Sequence, residues 1–256
     1  MASGAGGSSG IVAAAVALTL MALAAAPASA GRPLATEDAG TLEPGQVEVE
    51  LGVDYIRDAG VATFLLPGGP TLNAGLLPRL EASAGSAFAL LDPDDEPLRA
   101  GLADTVLRLK YRLLDESAST PALALAAAAR LPTGDRDRGF GEEGADVQPL
   151  VIASKTFGPA TLTLNAGYLF ATRDRDLDTV AVSAAAEVVV GRAWTLVGEV
   201  VSELATTGRG DDRVVVRGGA VHALHERARL DAAVGVGATR AGPDLLLTLG
   251  VTILFR

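Results

Sequence analysis

The residues of this chain with chemistry to offer are its charges, and many of them fall at alternate positions. Glu48, Glu50 and Asp54 are interleaved with Val49, Leu51 and Val53, and Arg108, Lys110 and Arg112 with Leu109 and Tyr111. Glu81, Glu187, Glu199, Arg217, Arg229 and Asp231 are likewise flanked by apolar residues or glycine. A β-strand sends successive side chains to opposite faces, so these segments each carry a charged face backed by an apolar one. A surface of mixed sign suits either a water-filled route, where it sets ion preference, or a set of structural ion pairs. On neighbouring strands Glu81 is placed to meet Lys110, and Glu199 to meet Arg217.

Other chemistries find less support. His222 and His225 form an HxxH, but three residues apart on a strand they point to opposite faces, so no metal site is expected. The acidic strings at 92–96 and 142–146 lack the spacing of a calcium loop and read as solvated loops. Cysteine is absent, and no GxSxG marks a nucleophile. The GVG at 235–237 has no strand-loop-helix unit around it, so it is not a dinucleotide loop. No catalytic residue, metal or cofactor is therefore expected, and the chain reads as a non-enzyme. A formal charge of -10 repels phosphate backbones, which argues against nucleic acid as a partner.

The elements that hold these charges follow from the period. From Gln46 to the end the apolar residues recur mostly at alternate positions, and turn residues divide the chain into about twelve segments near 46–57, 62–76, 79–90, 104–114, 121–131, 147–157, 160–170, 179–190, 194–203, 213–223, 228–239 and 245–255. Their connections alternate between tight turns such as Gly158-Pro159 and long charged loops such as GDRDRGFGEEGAD, as in barrels with short periplasmic turns and long outer loops. Segments of about eleven residues match the 9–11 a tilted strand needs to cross hydrocarbon. Lipid offers no partner for backbone N–H and C=O, so such a sheet must close on itself. The expectation is an all-β, closed, antiparallel up-and-down transmembrane barrel over 46–256. A secreted β-sandwich or lipocalin-like barrel, apolar inside and charged outside, shares the alternation and stays open as the rival. At 4% aromatic residues, interfacial girdles would be sparse, with Tyr55 and Phe170 at the loop ends and Trp194 and Phe255 at the turn ends.

Ahead of the strands, an uncharged apolar run from Ile11 to Pro27 leads into Ala28-Ser29-Ala30, a small-x-small cleavage site. Residues 1–30 read as a signal peptide, and residues 31–45 as a periplasmic or lumen segment. The run is short for a spanning helix.

Specific strings carry a family resemblance. RPLATEDAGTLEPG from Arg32 running into VEVELGVDYIRD, GLADTVLRLKYRLLDE from Gly101, LPTGD from Leu131, IASKTFGP from Ile152, LVGEV from Leu196 and TRAGPDLLLTLGVTILF from Thr239 together resemble the MetA-pathway phenol-degradation or transporter family of outer-membrane barrels. Phe255, at the end of the last strand and followed by Arg256, resembles the C-terminal signal of such barrels. The resemblance spans nearly all of the chain after the signal. It implies a bacterial outer-membrane channel for passive passage of small solutes, often hydrophobic or aromatic, with membrane lipid and the solute as partners. The alternative is a non-transporting structural barrel or a secreted β-sheet binding protein.

Overall fold

The structure, a computed structural model, describes residues 31–66, 71–94, 96–208 and 210–256. The expected signal segment lies outside them. From Gln46 onward the chain does what its alternation dictates and forms strands, with two single-turn 3-10 helices among the described residues, Arg136–Arg138 and Arg175–Leu177, in loops. The strand segments are β1 (Val47–Asp58), β2 (Val61–Leu66), β3 (Thr71–Leu77), β4 (Leu80–Gly85), β5 (Phe88–Pro93), β6 (Arg99–Leu102), β7 (Thr105–Leu114), β8 (Ala122–Leu131), β9 (Asp146–Phe157), β10 (Ala160–Ala171), β11 (Thr179–Val190), β12 (Trp194–Ala205), β13 (Arg213–His225), β14 (Ala228–Gly237) and β15 (Leu245–Phe255).

These segments make a closed 12-stranded antiparallel barrel, because β2 with β3, β4 with β5, and β6 with β7 are the halves of three interrupted wall strands. The breaks in the second and third of these adjoin: Ala103 N–H donates to the Ala87 carbonyl at 2.8 Å, and the Ser86 hydroxyl to the Ala103 carbonyl at 3.1 Å. Closure joins β1 to β15 in continuous register from Val47 opposite Phe255 to Arg57 opposite Leu245, which leaves no open edge.

The polarity of the wall is the reverse of a water-soluble protein. Leu109, Leu164 and Leu249 on the outer face are 49%, 59% and 64% exposed, whereas the inward Glu48, Lys110 and Asp231 are 6%, 5% and 5% exposed. That arrangement has a favourable free energy only when the outer solvent is lipid. Two thin aromatic bands flank the outer apolar surface. Tyr55 packs at a tilt against Phe64 (5.0 Å) and Tyr168 against Phe170 (4.6 Å) at the loop end, while Trp194 lies against His222 (4.3 Å) at the turn end with Phe157 and Phe255. Tight turns at that end use Gly158 and Gly191 at φ of 59° and 73°, where a side chain would be strained.

At the opposite end the long loops are pinned by carboxylates. Asp104 accepts the Gly134 and Glu142 N–H groups, each at 2.9 Å. Burial pushes the Asp178 carboxyl up, but the Ala171 N–H at 2.8 Å, the Tyr168 hydroxyl at 3.0 Å and the Arg175 guanidinium at 2.7 Å outweigh it and hold the group below its ordinary 3.8. A carboxyl lowered in the folded state stabilises above its ordinary value and loses that contribution as the pH falls through the lowered one. The loop at 172–178 is accordingly expected to resist pepsin at and above 3.8 and to become cleavable only at more acidic pH. Asp178→Asn should be cleaved across the whole range.

Candidate functional site: the lumen and its internal hoop

Residues 31–46 run around the inside of the wall as a hoop. Their contacts follow the strand order almost completely. Arg32 engages Asp54 on β1 (3.3 Å), Asp231 on β14 (3.6 Å) and Thr248 on β15. The Pro33 carbonyl accepts from Arg217 on β13 at 2.6 Å, and the Ala35 and Thr36 N–H groups donate to the Glu199 carboxylate on β12 at 3.0 and 2.9 Å. The Glu37 N–H and carbonyl are both held by the Asn165 side-chain amide on β10, at 2.8 and 2.7 Å. Ala39 N–H reaches Ser154 on β9 (3.0 Å), Leu42 N–H reaches Glu81 on β4 (2.8 Å), and Gly45 and Gln46 pair with Gly75 on β3 before the chain enters β1.

The wall makes room for this segment with small residues. Side chains added at Gly52 and Gly250 would collide with the Arg32 guanidinium, and one at Gly75 with the Glu43 carbonyl. Ala39 packs without exposure against Ala124, Ala126 and Ile152. This explains the alanines of β8, which have low strand propensity. They are held in the sheet by pairing with β7 and β9, and their small inward side chains leave space for the hoop.

Of the alternating charges singled out from the sequence, Glu48, Glu50, Glu81, Lys110, Glu187, Glu199 and Asp231 are buried. Glu81 meets Lys110 and Glu199 meets Arg217, both at 3.3 Å as the register expected, and Glu48 meets Arg229 at 3.3 Å. Asp54 and Asp231 share Arg32 of the hoop, and Arg108 pairs with Glu37 there. Lys110 adds Glu37 at 3.7 Å and Asp38 at 3.5 Å. Arg112 turns to Asp115 at the turn-end rim, 3.2 Å away. Glu50 accepts only a 3.3 Å bond from Asn73, and Glu187, though 6% exposed, has no hydrogen bond or ion pair among the described residues. His222 and His225 do not meet: one lies on the outer face with Trp194, the other is exposed at a turn beyond a register shift. No trio of His, Asp or Glu among the described residues is grouped to hold a metal ion.

Sequence reasoning missed the hoop's own Arg32, Glu37 and Asp38 and the neutral wall partners Asn165, Ser154 and Thr248. The signal for the first group was charge in a segment without strand period. The inward glycines opposite one another, Gly52 and Gly250, were a second clue.

A family model described as "Putative MetA-pathway of phenol degradation" matches residues 30–255 of the chain. The chain belongs to this family. No curated protein matches it in sequence. Among solved structures, this MetA-pathway family member is similar to an outer membrane channel from Pseudomonas putida F1, with 15% identity, 85% of this chain and 98% of the other covered, and a TM-score of 0.67. It is also similar to the NanC porin (7% identity, 80% and 98% covered, TM-score 0.59) and the KdgM porin (9% identity, 82% and 99% covered, TM-score 0.56). At such identities the likeness establishes the outer-membrane barrel fold that this family member shares with them.

On the loop side of the hoop the lumen of this MetA-pathway barrel opens into a cavity of about 140 Å³, floored by Glu37, Arg108 and Asn165 and walled by Gln148, Leu150, Ala128, Ser183 and Val201. Polar groups from Glu37, Arg108, Asn165, Gln148 and Ser183 face it together with the apolar side chains of Ala128, Leu150 and Val201. A small molecule that carries both polar and apolar groups suits such a lining.

Proposed function

We propose that the chain is a passive outer-membrane channel for small solutes, non-enzymatic, exported by way of a cleaved segment 1–30, with the hoop setting its aperture. The observation that carries this reading is the charged lumen ringed by a chain segment and leading into the cavity above Glu37 and Arg108, inside a wall that is apolar outside. Amphipathic solutes such as simple phenols match both that cavity and the family's description. Conductance of the purified protein in planar bilayers, with and without added phenol, is the test. The dense bonding of the hoop favours a second reading, a lumen-filled structural barrel, and a silent bilayer would select it.

Ion preference follows from charge placement. Facing the lumen are Glu48, Glu50, Asp54, Glu81, Glu187, Glu199 and Asp231, with Glu37 and Asp38 on the hoop. They outnumber Arg32, Arg108, Lys110, Arg112, Arg217 and Arg229, so the route should prefer cations. Glu187→Gln removes a carboxylate with no ion-pair partner among the described residues, and should lower the cation-to-anion permeability ratio about twofold. Arg108→Leu should leave the barrel inserted and raise that ratio. Reversal potentials in a salt gradient check both, and shifts of the opposite sign would dismiss the placement of charge along the route.

A further inference from the structure

The hoop begins where it ends, against β1. A methyl group built on Gly31 would lie 2.5 Å from a Glu50 carboxylate oxygen and 3.4 Å from an Arg229 guanidinium nitrogen. A residue's own nitrogen, two bonds from that methyl position, is about 2.5 Å from it. The Gly31 nitrogen therefore lies within about 5 Å of the carboxylate oxygen, inside the range over which opposite charges stabilise one another. Glu50 is 8% exposed and has no guanidinium or ammonium at ion-pair distance among the described residues, since Arg229 is taken by Glu48. A buried carboxylate without a cation is costly.

We propose that Glu50 is the docking site for the α-ammonium group of the processed chain. A signal peptidase hydrolyses the Ala30–Gly31 bond; water supplies the carboxylate oxygen left on Ala30 and the proton that makes Gly31 an amine, which ionises to ammonium. That cation is the partner Glu50 lacks, and it closes the hoop. In the unprocessed chain the same nitrogen is an uncharged amide, so the hoop is fully anchored only after export. Glu50 is thus a positioning residue for the hoop. The inference rests on cleavage after Ala30 and not on the transport reading.

The full gene is expressed in a Gram-negative host and the protein purified from outer membranes. Intact mass gives the first residue. The folded protein is then acetylated with an N-hydroxysuccinimide ester at neutral pH, and Gly31, Lys110 and Lys155, the chain's only amines after cleavage, are followed by peptide mass spectrometry. We expect Gly31 to lead the mature chain and its amine to react at least tenfold more slowly than in denatured protein. Glu50→Gln should bring the rate to within about twofold of the denatured one while Lys110, 5% exposed, stays protected as the mark of an intact lumen. Glu50→Asp should restore most of the protection. A mature chain that starts elsewhere, or equal Gly31 labelling in the wild type and Glu50→Gln, overturns the docking. A protected Gly31 in a barrel that does not conduct upholds the docking and ends the transport reading instead.

Discussion

Leu109→Arg is expected to abolish assembly of the barrel in the outer membrane. Leu109 sits mid-strand on the outer face of β7, 49% exposed, paired with the small Ala82 on β4 and Ala127 on β8, so its side chain projects into acyl chains. An arginine at the bilayer midplane of a barrel costs about 2–4 kcal/mol, and at 1.4 kcal/mol per tenfold this is roughly a thirty- to thousandfold shift against the inserted state. The band that keeps its compact mobility on an unheated detergent gel should fall at least tenfold in the membrane fraction. The adjacent Arg108→Leu should leave that band unchanged, since position 108 faces the lumen. Equal behaviour of the two variants would falsify the assignment of faces.

Glu199→Ala should release the middle of the hoop while the wall persists. One carboxylate there accepts the Ala35 and Thr36 N–H groups and the Thr36 hydroxyl (2.7 Å), and pairs with Arg217; its side chain is 0% exposed. Removing one member of a buried ion pair costs about 3–5 kcal/mol, because the remaining partners lose their solvation without compensation. The wall pairs of β12 with β11 and β13 are backbone bonds and do not depend on this side chain. Protease cleavage within residues 31–45 in intact barrels should rise by tenfold or more, and single-channel conductance should increase. Glu203→Ala, on the same strand nearer the loops, should do neither. Its partner Arg213 is 39% exposed, and such pairs contribute little.

The division between what was legible in the sequence and what was not follows the range of the interactions. Alternation is a local property, so Leu107, Leu109 and Tyr111 against Arg108, Lys110 and Arg112 were enough to separate two faces. Closure followed from the demand of lipid that no backbone group go unpaired. Pairs between adjacent strands, Glu81 with Lys110 and Glu199 with Arg217, were also within reach, because turn positions fix antiparallel register to about a residue. The broken strands were partly legible: β2 and β3 lie where a segment near 62–76 was expected and β4 and β5 where one near 79–90 was, but β6 lies in a stretch read as a loop, and the interruption at Ser86 and Ala87 depends on how β5 meets β2 and β6.

Sequence alone therefore determined the strand pattern and the division of each strand into a charged and an apolar face, and the family resemblance added which face meets lipid. The course of residues 31–46 was decided only in three dimensions. That segment has no period of its own, and it is held by donors and acceptors from seven or more strands widely separated along the chain. Such bonds exist only once the barrel has closed around it, so no short-range pattern in the hoop encodes where it lies.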